Sequence, residues 1–402
     1  MNARNTFNSF GRISRLLHWT MALLILAMIP LGFVAENMAH AINAPGAAPT
    51  DSQMAQVITL FSLHKTTGVL VFFLALIRLV WMLTQPKPVS LHPENKLENF
   101  AAELVHYTLY GALVLVPLSG WLHHAAATGF APIWWPFGQT LPFVPQDAAL
   151  SQVFSVLHFL AIWVLIGALA LHIAGTVKHH LIDKDSTLLR MARGVAAGQP
   201  GKHSIALPVL AAMAIWVIVP LGAFAAGWFA TGAQTGPKLE QVASDWQVQD
   251  GSLNISILQM GNTVQGSFAD WTAQISYAED TSVEKNGEVT VTIAIPSLTL
   301  GSVTQQAMGP DYFDAAQFAT AVFQADLLRR DTGLVAEGTL TIKDISIPLS
   351  LPFTLEIADG VATASGSGQV NRLDYGMGKT VTDAGTLAFE VTIDFALTAT
   401  RS

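Results

Sequence analysis

Five long apolar runs dominate the first 230 residues of the chain. They cover residues 16–34, 57–83, 100–123, 153–177 and 205–230. Each run is long enough to cross the roughly 30 Å hydrocarbon core of a bilayer as a helix. The first run follows positive residues, as in a signal peptide, but it is too long for one and we interpret it as a retained span. The pattern therefore predicts five membrane helices.

From Trp246 onward the period of the pattern changes. Apolar and polar residues alternate in short segments, which include residues 253–257, 289–293, 338–342 and 389–395. Alternation of this kind is typical of strands with one buried face. The turn signals Asn286-Gly287 and Asp359-Gly360 separate such segments, and a helical excursion is expected over residues 310–319. The pattern predicts a closed antiparallel barrel of about eight strands with an apolar interior for one ligand.

The composition divides at the same place. Residues 1–236 carry 12 Lys+Arg against 8 Asp+Glu and all 12 histidines, whereas residues 237–402 carry 8 against 20. The predicted fold class is an all-α membrane helix bundle followed by an all-β, lipocalin-like barrel. We place the domains at residues 1–195 and 237–402. Between them, residues 196–236 hold a cytoplasmic connector, the fifth span and a linker at 231–237.

The positive residues predict the orientation. Lys and Arg gather before the first span and in the second and fourth loops, while loops 36–55 and 125–150 contain none. The positive-inside rule then places the N-terminus in the cytoplasm. Five spans would deliver the C-terminal barrel to the periplasm of a Gram-negative cell, with the protein in the inner membrane.

Four histidines within the spans are the leading candidates for a site. His158 and His172 are 14 residues apart in the fourth span, so they fall on nearly one helix face, roughly 21 Å apart. His18 of the first span and His64 of the second are the available partners. A histidine inside a membrane is costly and usually functional.

Depth in the bilayer pairs these histidines. His18 and His172 lie near the cytoplasmic ends of their spans, whereas His64 and His158 lie near the outer ends. Two trans imidazoles suit a low-spin haem iron, whose filled axial positions favour electron transfer over oxygen binding. Zinc fits less well, because it usually takes three or four ligands. Histidines that only hydrogen-bond neighbouring helices are the other alternative.

Other residues narrow the chemistry. His106 could bind the inner metal, face a quinone or simply pack, and Arg78 could pair with a haem propionate but is expected to be a positive-inside anchor. His179 is expected to face headgroups or a propionate. The chain has no cysteine, which excludes thiolate-bound clusters and covalent c-type haem. Its acidic second part argues against nucleic acid.

At these residues the chain resembles the bacterial cytochrome b561 family of four-helix dihaem membrane cytochromes. The matching motifs are Leu17-His18-Trp19, His64-x-x-x-Gly68 with Arg78-Leu79, Pro117-Leu118-Ser119-Gly120-Trp121, the His158/His172 pair and the tail from His179-His180 to Met191. The resemblance covers about residues 8–195. It implies two b haems, one held by His18 and His172 and one by His64 and His158. It also implies electron exchange with a quinone such as ubiquinone, and some members are reported to oxidise superoxide.

Residues 238–402 resemble the YceI family of lipocalin-like periplasmic proteins. The matching motifs are Gly266-Ser267-Phe268-Ala269-Asp270-Trp271, Tyr312-Phe313-Asp314-Ala315, residues 338–343 with Ile347-Pro348-Leu349, and residues 370–376. The resemblance implies a barrel that holds a polyisoprenoid chain. The chain departs from the family at residues 305–310, where an Arg-Asp-x-His-Leu segment is usual, so a polar ligand contact from that segment is not expected.

Three hypotheses follow. In the first, two b haems relay electrons between a quinone and an unknown periplasmic donor or acceptor, while the barrel binds the isoprenoid tail of a quinone or a similar lipid. Tethering such a barrel beside a quinone-reactive cytochrome would raise the local quinone concentration. In the second, the protein binds isoprenoid lipid or responds to stress, and the cytochrome anchors or senses. In the third, it is the b subunit of a larger dehydrogenase.

Overall fold

The computed structural model describes residues 2–42, 50–127, 131–198, 205–229, 238–240, 242–259, 261–279, 282–301 and 303–401. The chain forms two compact units. The helices of residues 12–225 are called the helical unit and the sheet of residues 246–401 the strand unit. The predicted linker at residues 231–237 lies outside the described residues. The two domain boundaries remain predictions.

The helical unit contains the five predicted spans. They are α1 (Arg12–Ile42), α2 (Asp51–Leu83), α3 (Lys96–Ala126), α4 (Ala148–Leu181) and, after the short α5 (Thr187–Arg193), the last span α6 (Ala206–Ala225). All five are long and apolar enough to cross a membrane. Three of them, α1, α3 and α4, run beyond the predicted apolar runs at both ends, because a helix continues past the hydrocarbon into polar flanks. Asp147 caps the start of α4 by accepting a hydrogen bond from the Leu150 amide, at 2.6 Å.

Small residues let these helices approach one another. Met21, Val71, Ala75 and Leu113 form a buried cluster contributed by α1, α2 and α3. Helix α6, predicted to be a connector, packs against α3, where the Trp216 indole occupies the space that a side chain at Gly111 would take. Close backbone approach at a small residue is the usual way that membrane helices associate.

The strand unit is a single ten-stranded antiparallel sheet. Its strands are β1 (Trp246–Gln259), β2 (Asn262–Phe268), β3 (Trp271–Tyr277), β4 (Lys285–Ala294), β5 (Leu298–Thr299), β6 (Thr320–Arg330), β7 (Gly333–Ile342), β8 (Ile345–Ala358), β9 (Val361–Asn371) and β10 (Leu387–Arg401). The order across the sheet is β3-β4-β6-β7-β8-β9-β10-β1-β2-β5. The lipocalin-like fold class is therefore confirmed, but the sheet has ten strands rather than about eight, and among the described residues its ladder does not close, because β3 and β5 lie at its two edges.

The sheet curls so that β3 returns beside the start of β1. Ser244 exchanges hydrogen bonds with the Ile275 backbone, and the Trp246 indole donates to the Tyr277 carbonyl at 3.1 Å. These side-chain hydrogen bonds satisfy part of the backbone of the edge strand β3, which a neighbouring strand would otherwise satisfy. Inward residues alternate as predicted: Ala321, Phe323, Ala325 and Leu327 of β6 are all buried.

Two local predictions for this unit were wrong. Asn286-Gly287 lies inside β4 at a register shift, since the bulge there accommodates the glycine without a turn. The helix near residue 310 is α7 (Thr304–Met308), and residues 310–319 form turns and extended chain instead. The Asp359-Gly360 turn is confirmed, with both residues at positive φ as a type I′ hairpin requires.

Tyr375 makes the strand unit sensitive to alkaline pH. Its side chain is fully buried and its hydroxyl donates to the Leu340 carbonyl at 3.3 Å, and burial raises its pKa to about 12. Unfolded chains lose this proton near pH 10, so the stabilising effect is complete below pH 10 and disappears as the pH approaches 12. We expect the unfolding free energy to fall by up to ~1.4 kcal/mol per pH unit over that range. Urea unfolding at pH 9 to 11.5 measures this, and Tyr375→Phe should flatten the dependence.

Candidate functional site

Helix α4 brings the first predicted histidine pair together. Its His172 faces His18 of α1, with the ring centroids 6.1 Å apart and the ring planes at 61°. Two metal–nitrogen bonds of about 2 Å each, added to the size of the rings, separate the centroids of two trans imidazoles by roughly 6 Å. The spacing of this pair therefore fits one metal ion held between the rings.

A third histidine lies beside this inner pair. The His106 centroid is 5.0 Å from that of His172, and His106 Nδ1 is hydrogen-bonded to the Ala102 carbonyl of its own helix at 2.6 Å. That separation is shorter than a trans pair needs. The geometry therefore favours His18 as the partner of His172, with His106 as a packed, hydrogen-bonded neighbour.

Arg78 also belongs to this inner cluster. Its Nη2 atom lies 3.2 Å from His18 Nδ1. Because a guanidinium group can only donate, Nδ1 accepts this bond and the ring proton sits on Nε2. For Nε2 to hold a metal as a neutral imidazole, the proton must move to Nδ1 and Arg78 must turn to another acceptor.

His158, one member of the predicted outer pair, is held in a tautomer that can bind a metal. Its Nδ1 donates to the Val116 carbonyl of α3 at 2.8 Å, with Ser119 Oγ at 3.3 Å. A histidine that gives its Nδ1 proton to a carbonyl leaves the Nε2 lone pair free for a metal. The Val116 carbonyl, just before the Pro117-to-Trp121 motif, and Ser119 within that motif thus hold this ring.

His64 is the second member of the outer pair. Its Nδ1 is buried and has no hydrogen-bond partner among the described residues. A buried ring nitrogen without a partner is costly unless another group satisfies it. His64 and His158 do not form a ring contact within the part of the chain that the structure describes, unlike His18 and His172.

Glycines make room for both outer rings. A Cβ atom at Gly32 of α1 would lie 2.9 Å from His64 Cε1, and one at Gly120 of α3 would lie 2.9 Å from His158 Cε1. The two glycines thus leave the space that the His64 and His158 rings occupy.

Substituting Gly120 should disturb the outer site selectively. Because a side chain there collides with the His158 ring, Gly120→Val is expected to break its bond to the Val116 carbonyl and weaken haem retention by about tenfold or more. Haem titration of the purified apoprotein measures this affinity. Gly222→Val in α6, where nothing lies within 4 Å of an added Cβ, is the matched control and should bind haem as the wild type does. Equal affinities in the two variants would contradict the assignment.

A polar network ties the end of α4 to α3. His179 Nδ1 lies 2.8 Å from Asp185 and 3.0 Å from Asp183, and Lys178 pairs with Asp183 and Glu98. Although burial raises the pKa of Asp185, hydrogen bonds from Thr187 and the charge of His179 hold it below its usual range. His179 was expected to face headgroups or a propionate, but in the structure it contacts Asp183 and Asp185 instead. The i,i+4 spacing of His179 and Asp183 is a sequence signal for this contact.

The second candidate site is a cavity inside the strand unit. It encloses about 250 Å³ and is lined almost wholly by aliphatic and aromatic side chains from the inner face of the sheet. Among the described residues that line it, Arg372 is the only charged one. The cavity therefore suits an uncharged, apolar ligand.

Arg372 supports this cavity as a structural residue. Its side chain is 2% exposed and its guanidinium donates to five backbone carbonyls. These belong to Ala388, Met377, Gly378, Val381 and Leu387, at 2.7 to 3.2 Å. Burial lowers its pKa, and the Phe389 ring, 5.4 Å away, faces the cation. The guanidinium therefore joins the loop after β9 to the start of β10, with all five donors committed.

Comparison with known proteins divides the chain in the same way. Residues 9–194 match the family model described as prokaryotic cytochrome b561, and residues 246–399 match that of the YceI-like domain. Cytochrome b561 homolog 2 of Escherichia coli (strain K12) is 29% identical over 192 residues, which are 48% of this chain and 95% of that protein. A Yersinia pestis protein named "Probable superoxide oxidase CybB" is 24% identical over 176 residues, 44% of this chain and 90% of that protein.

Solved structures are also similar to part of the chain. Burkholderia cenocepacia BcnA is 27% identical, with a TM-score of 0.35, and the match covers 37% of this chain and 96% of that one. The Campylobacter jejuni YCEI protein is 21% identical, with a TM-score of 0.31, and the match covers 42% and 92%.

Proposed function

We propose that residues 9–194, which match the prokaryotic cytochrome b561 model, and residues 246–399, which match the YceI-like domain model, make a membrane electron carrier with a tethered isoprenoid-binding barrel. In this proposal His18 and His172 hold one b haem and His64 and His158 hold another. The observation that carries it is the 6.1 Å spacing of the His18 and His172 rings, with the second site on the same helix α4. Bound haem supplies reversible one-electron chemistry.

The chain's own residues set the conditions for that chemistry. Val116 fixes the tautomer of His158, while Gly32 and Gly120 fix the ring positions of the outer pair. If haem occupied the inner site, Arg78 would be free to leave His18 Nδ1 and pair with an anionic group such as a haem propionate. Haem held by two histidines would supply electron transfer rather than oxygen binding.

We place the protein in the inner membrane with its N-terminus in the cytoplasm, which puts the strand unit in the periplasm. This orientation follows from the distribution of Lys and Arg between loops. The donor at the outer face is superoxide in this proposal, as the name of the Yersinia pestis relative suggests, and the acceptor is ubiquinone. Two superoxide ions each lose one electron to become oxygen, and the quinone gains two electrons and two protons to become quinol.

Stopped-flow mixing tests this activity. The oxidised, detergent-purified chain is mixed with superoxide and a short-chain ubiquinone, and the b-type absorbance and quinol are followed. We expect rapid haem reduction and one quinol for two superoxide ions, with superoxide dismutase abolishing both. A haem-loaded protein that neither superoxide nor quinol reduces would contradict the electron-carrier function and favour a membrane-anchored lipid-binding or sensory protein.

The cavity in the strand unit supports the lipid-binding part of the proposal. Its lining is apolar and its only charged residue among those described is committed to backbone carbonyls. A neutral isoprenoid chain, such as the tail of a quinone, fits these properties. Co-purification of a separate dehydrogenase under mild detergent would instead favour a b subunit of a larger complex.

A further inference from the structure

One polar residue interrupts the apolar lining of the strand-unit cavity at the end of β1. Leu253, Ile255 and Ile257 alternate along the inward face of that strand, and Gln259 continues the series at the same spacing. An apolar side chain would suffice for packing at this position. The glutamine therefore needs an explanation other than packing.

The Gln259 side chain is buried and has an unpaired acceptor. It is 8% exposed, it lines the cavity, and its Oε1 atom has no hydrogen-bond partner among the described residues. Most buried polar groups in proteins are hydrogen-bonded, and an unpaired one destabilises the fold. A molecule in the cavity can supply the missing donor.

No guanidinium donor is free near this acceptor. Gln259 pairs with Leu387 in the sheet, and the Leu387 carbonyl accepts a hydrogen bond from Arg372 Nη2 at 3.2 Å. The remaining Arg372 donors are bound to four other carbonyls. A phosphate or carboxylate head would therefore meet an acceptor oxygen and no uncommitted cation among the described lining residues.

We infer that the cavity selects a neutral isoprenoid whose polar end donates a hydrogen bond, and that Gln259 Oε1 accepts it. The inference rests on the proposed isoprenoid-binding function and names the head group that the barrel takes. Prenyl alcohols, prenyl phenols and quinols carry such a hydroxyl. An oxidised quinone offers only acceptor carbonyls and leaves Oε1 unpaired, so the reduced member of a quinone couple binds more tightly.

Two matched ligands test this selection in the full chain. Tritiated geranylgeraniol and its methyl ether have the same prenyl chain, but only the alcohol donates a hydrogen bond. Neither has a quinone ring, so the histidine sites of the helical unit do not react with them. Saturation binding in one detergent should show the alcohol binding about fivefold to tenfold more tightly, as one neutral hydrogen bond provides.

Gln259→Leu should abolish this preference. The variant removes the acceptor at nearly constant volume, and removing an unsatisfied buried group should leave the strand unit at least as stable as before. Binding of the ether should stay within about twofold of the wild type, and Gln259→Met serves as a second apolar variant. Gln306→Leu is the matched control, because Gln306 also lines the cavity but has no unpaired buried oxygen. It should keep the preference.

Each outcome bears on a different statement. Equal affinities in the wild type, or a preference for the alcohol that persists in Gln259→Leu and Gln259→Met, would overturn the role of Gln259 while leaving isoprenoid binding intact. If neither ligand binds saturably to the wild type, the isoprenoid-binding function itself fails. A preference that disappears only in the Gln259 variants supports the inference.

Discussion

Replacing His158 by alanine is expected to lower the haem content from two b haems per chain to one. The substitution removes one axial ligand of the proposed outer site and with it the ring that the Val116 carbonyl orients. Haem held by His64 alone would be lost or become high-spin. Oxidised and dithionite-reduced spectra of the purified protein, with a pyridine haemochrome count, measure the change.

The neighbouring histidines give the controls. His172→Ala should remove the inner haem in the same way, whereas His106→Ala should retain two, because the 5.0 Å separation of the His106 and His172 rings is too short for a trans pair. A wild-type chain without haem, after expression with adequate haem supply, would refute the whole histidine assignment. Loss of haem in His106→Ala, together with retention in a His18→Ala variant, would reassign the inner partner.

Arg372→Met is expected to unfold the strand unit. Five backbone carbonyls of the loop after β9 and the start of β10 would lose the guanidinium as a donor. The Gly378 carbonyl would keep the Val381 amide at 3.0 Å, and each carbonyl left unsatisfied is expected to cost about 1–3 kcal/mol. The sum of these costs is of the order of the whole stability of a typical domain, roughly 5–15 kcal/mol. Pulse proteolysis of the full chain in increasing urea should show cleavage of the strand unit at much lower urea than in the wild type.

Two further variants separate the effect of the Arg372 charge from the effect of its hydrogen bonds. Arg401→Met makes the same change at an exposed residue at the end of β10 and should leave the urea midpoint unchanged. Arg372→Lys keeps the charge but offers three donors instead of five, so an intermediate midpoint is expected. If Arg372→Met unfolds at the same urea concentration as the wild type, the five hydrogen bonds do not stabilise the loop.

The architecture could be predicted from the sequence because its two hydrophobic patterns, uninterrupted runs and strict alternation, are each consistent over a long part of the chain. Uninterrupted apolar runs can satisfy their backbone in a bilayer only as helices, and strict alternation after Trp246 suits only a half-buried sheet. Pairing of His18 with His172 could be predicted for the same reason. The rise per residue of a helix and the ends of the spans place both histidines at the same depth in the bilayer.

The supporting contacts could not be predicted, because each joins residues distant in the sequence. Val116 and His158 meet only when α3 and α4 pack, and Arg78 meets His18 only when α2 packs against α1. The Asn286-Gly287 pair has the composition of a hairpin turn, but β4 continues through it as a bulge because β6 pairs with it on both sides. At this position the pairing of β4 with β6 outweighs the turn preference of the Asn-Gly pair.

Helix α4 carries one ligand of each proposed haem, His158 and His172, and this arrangement would make the proposed electron relay sensitive to the membrane potential. The roughly 21 Å between the levels of His158 and His172 is about 0.7 of the hydrocarbon thickness. Moving one charge across the full membrane changes its energy by about 2.3 kcal/mol per 100 mV, so the step along α4 would change by about 1.6 kcal/mol. An energised membrane, negative inside, would therefore lower the equilibrium constant for inward electron transfer by roughly fifteenfold per 100 mV.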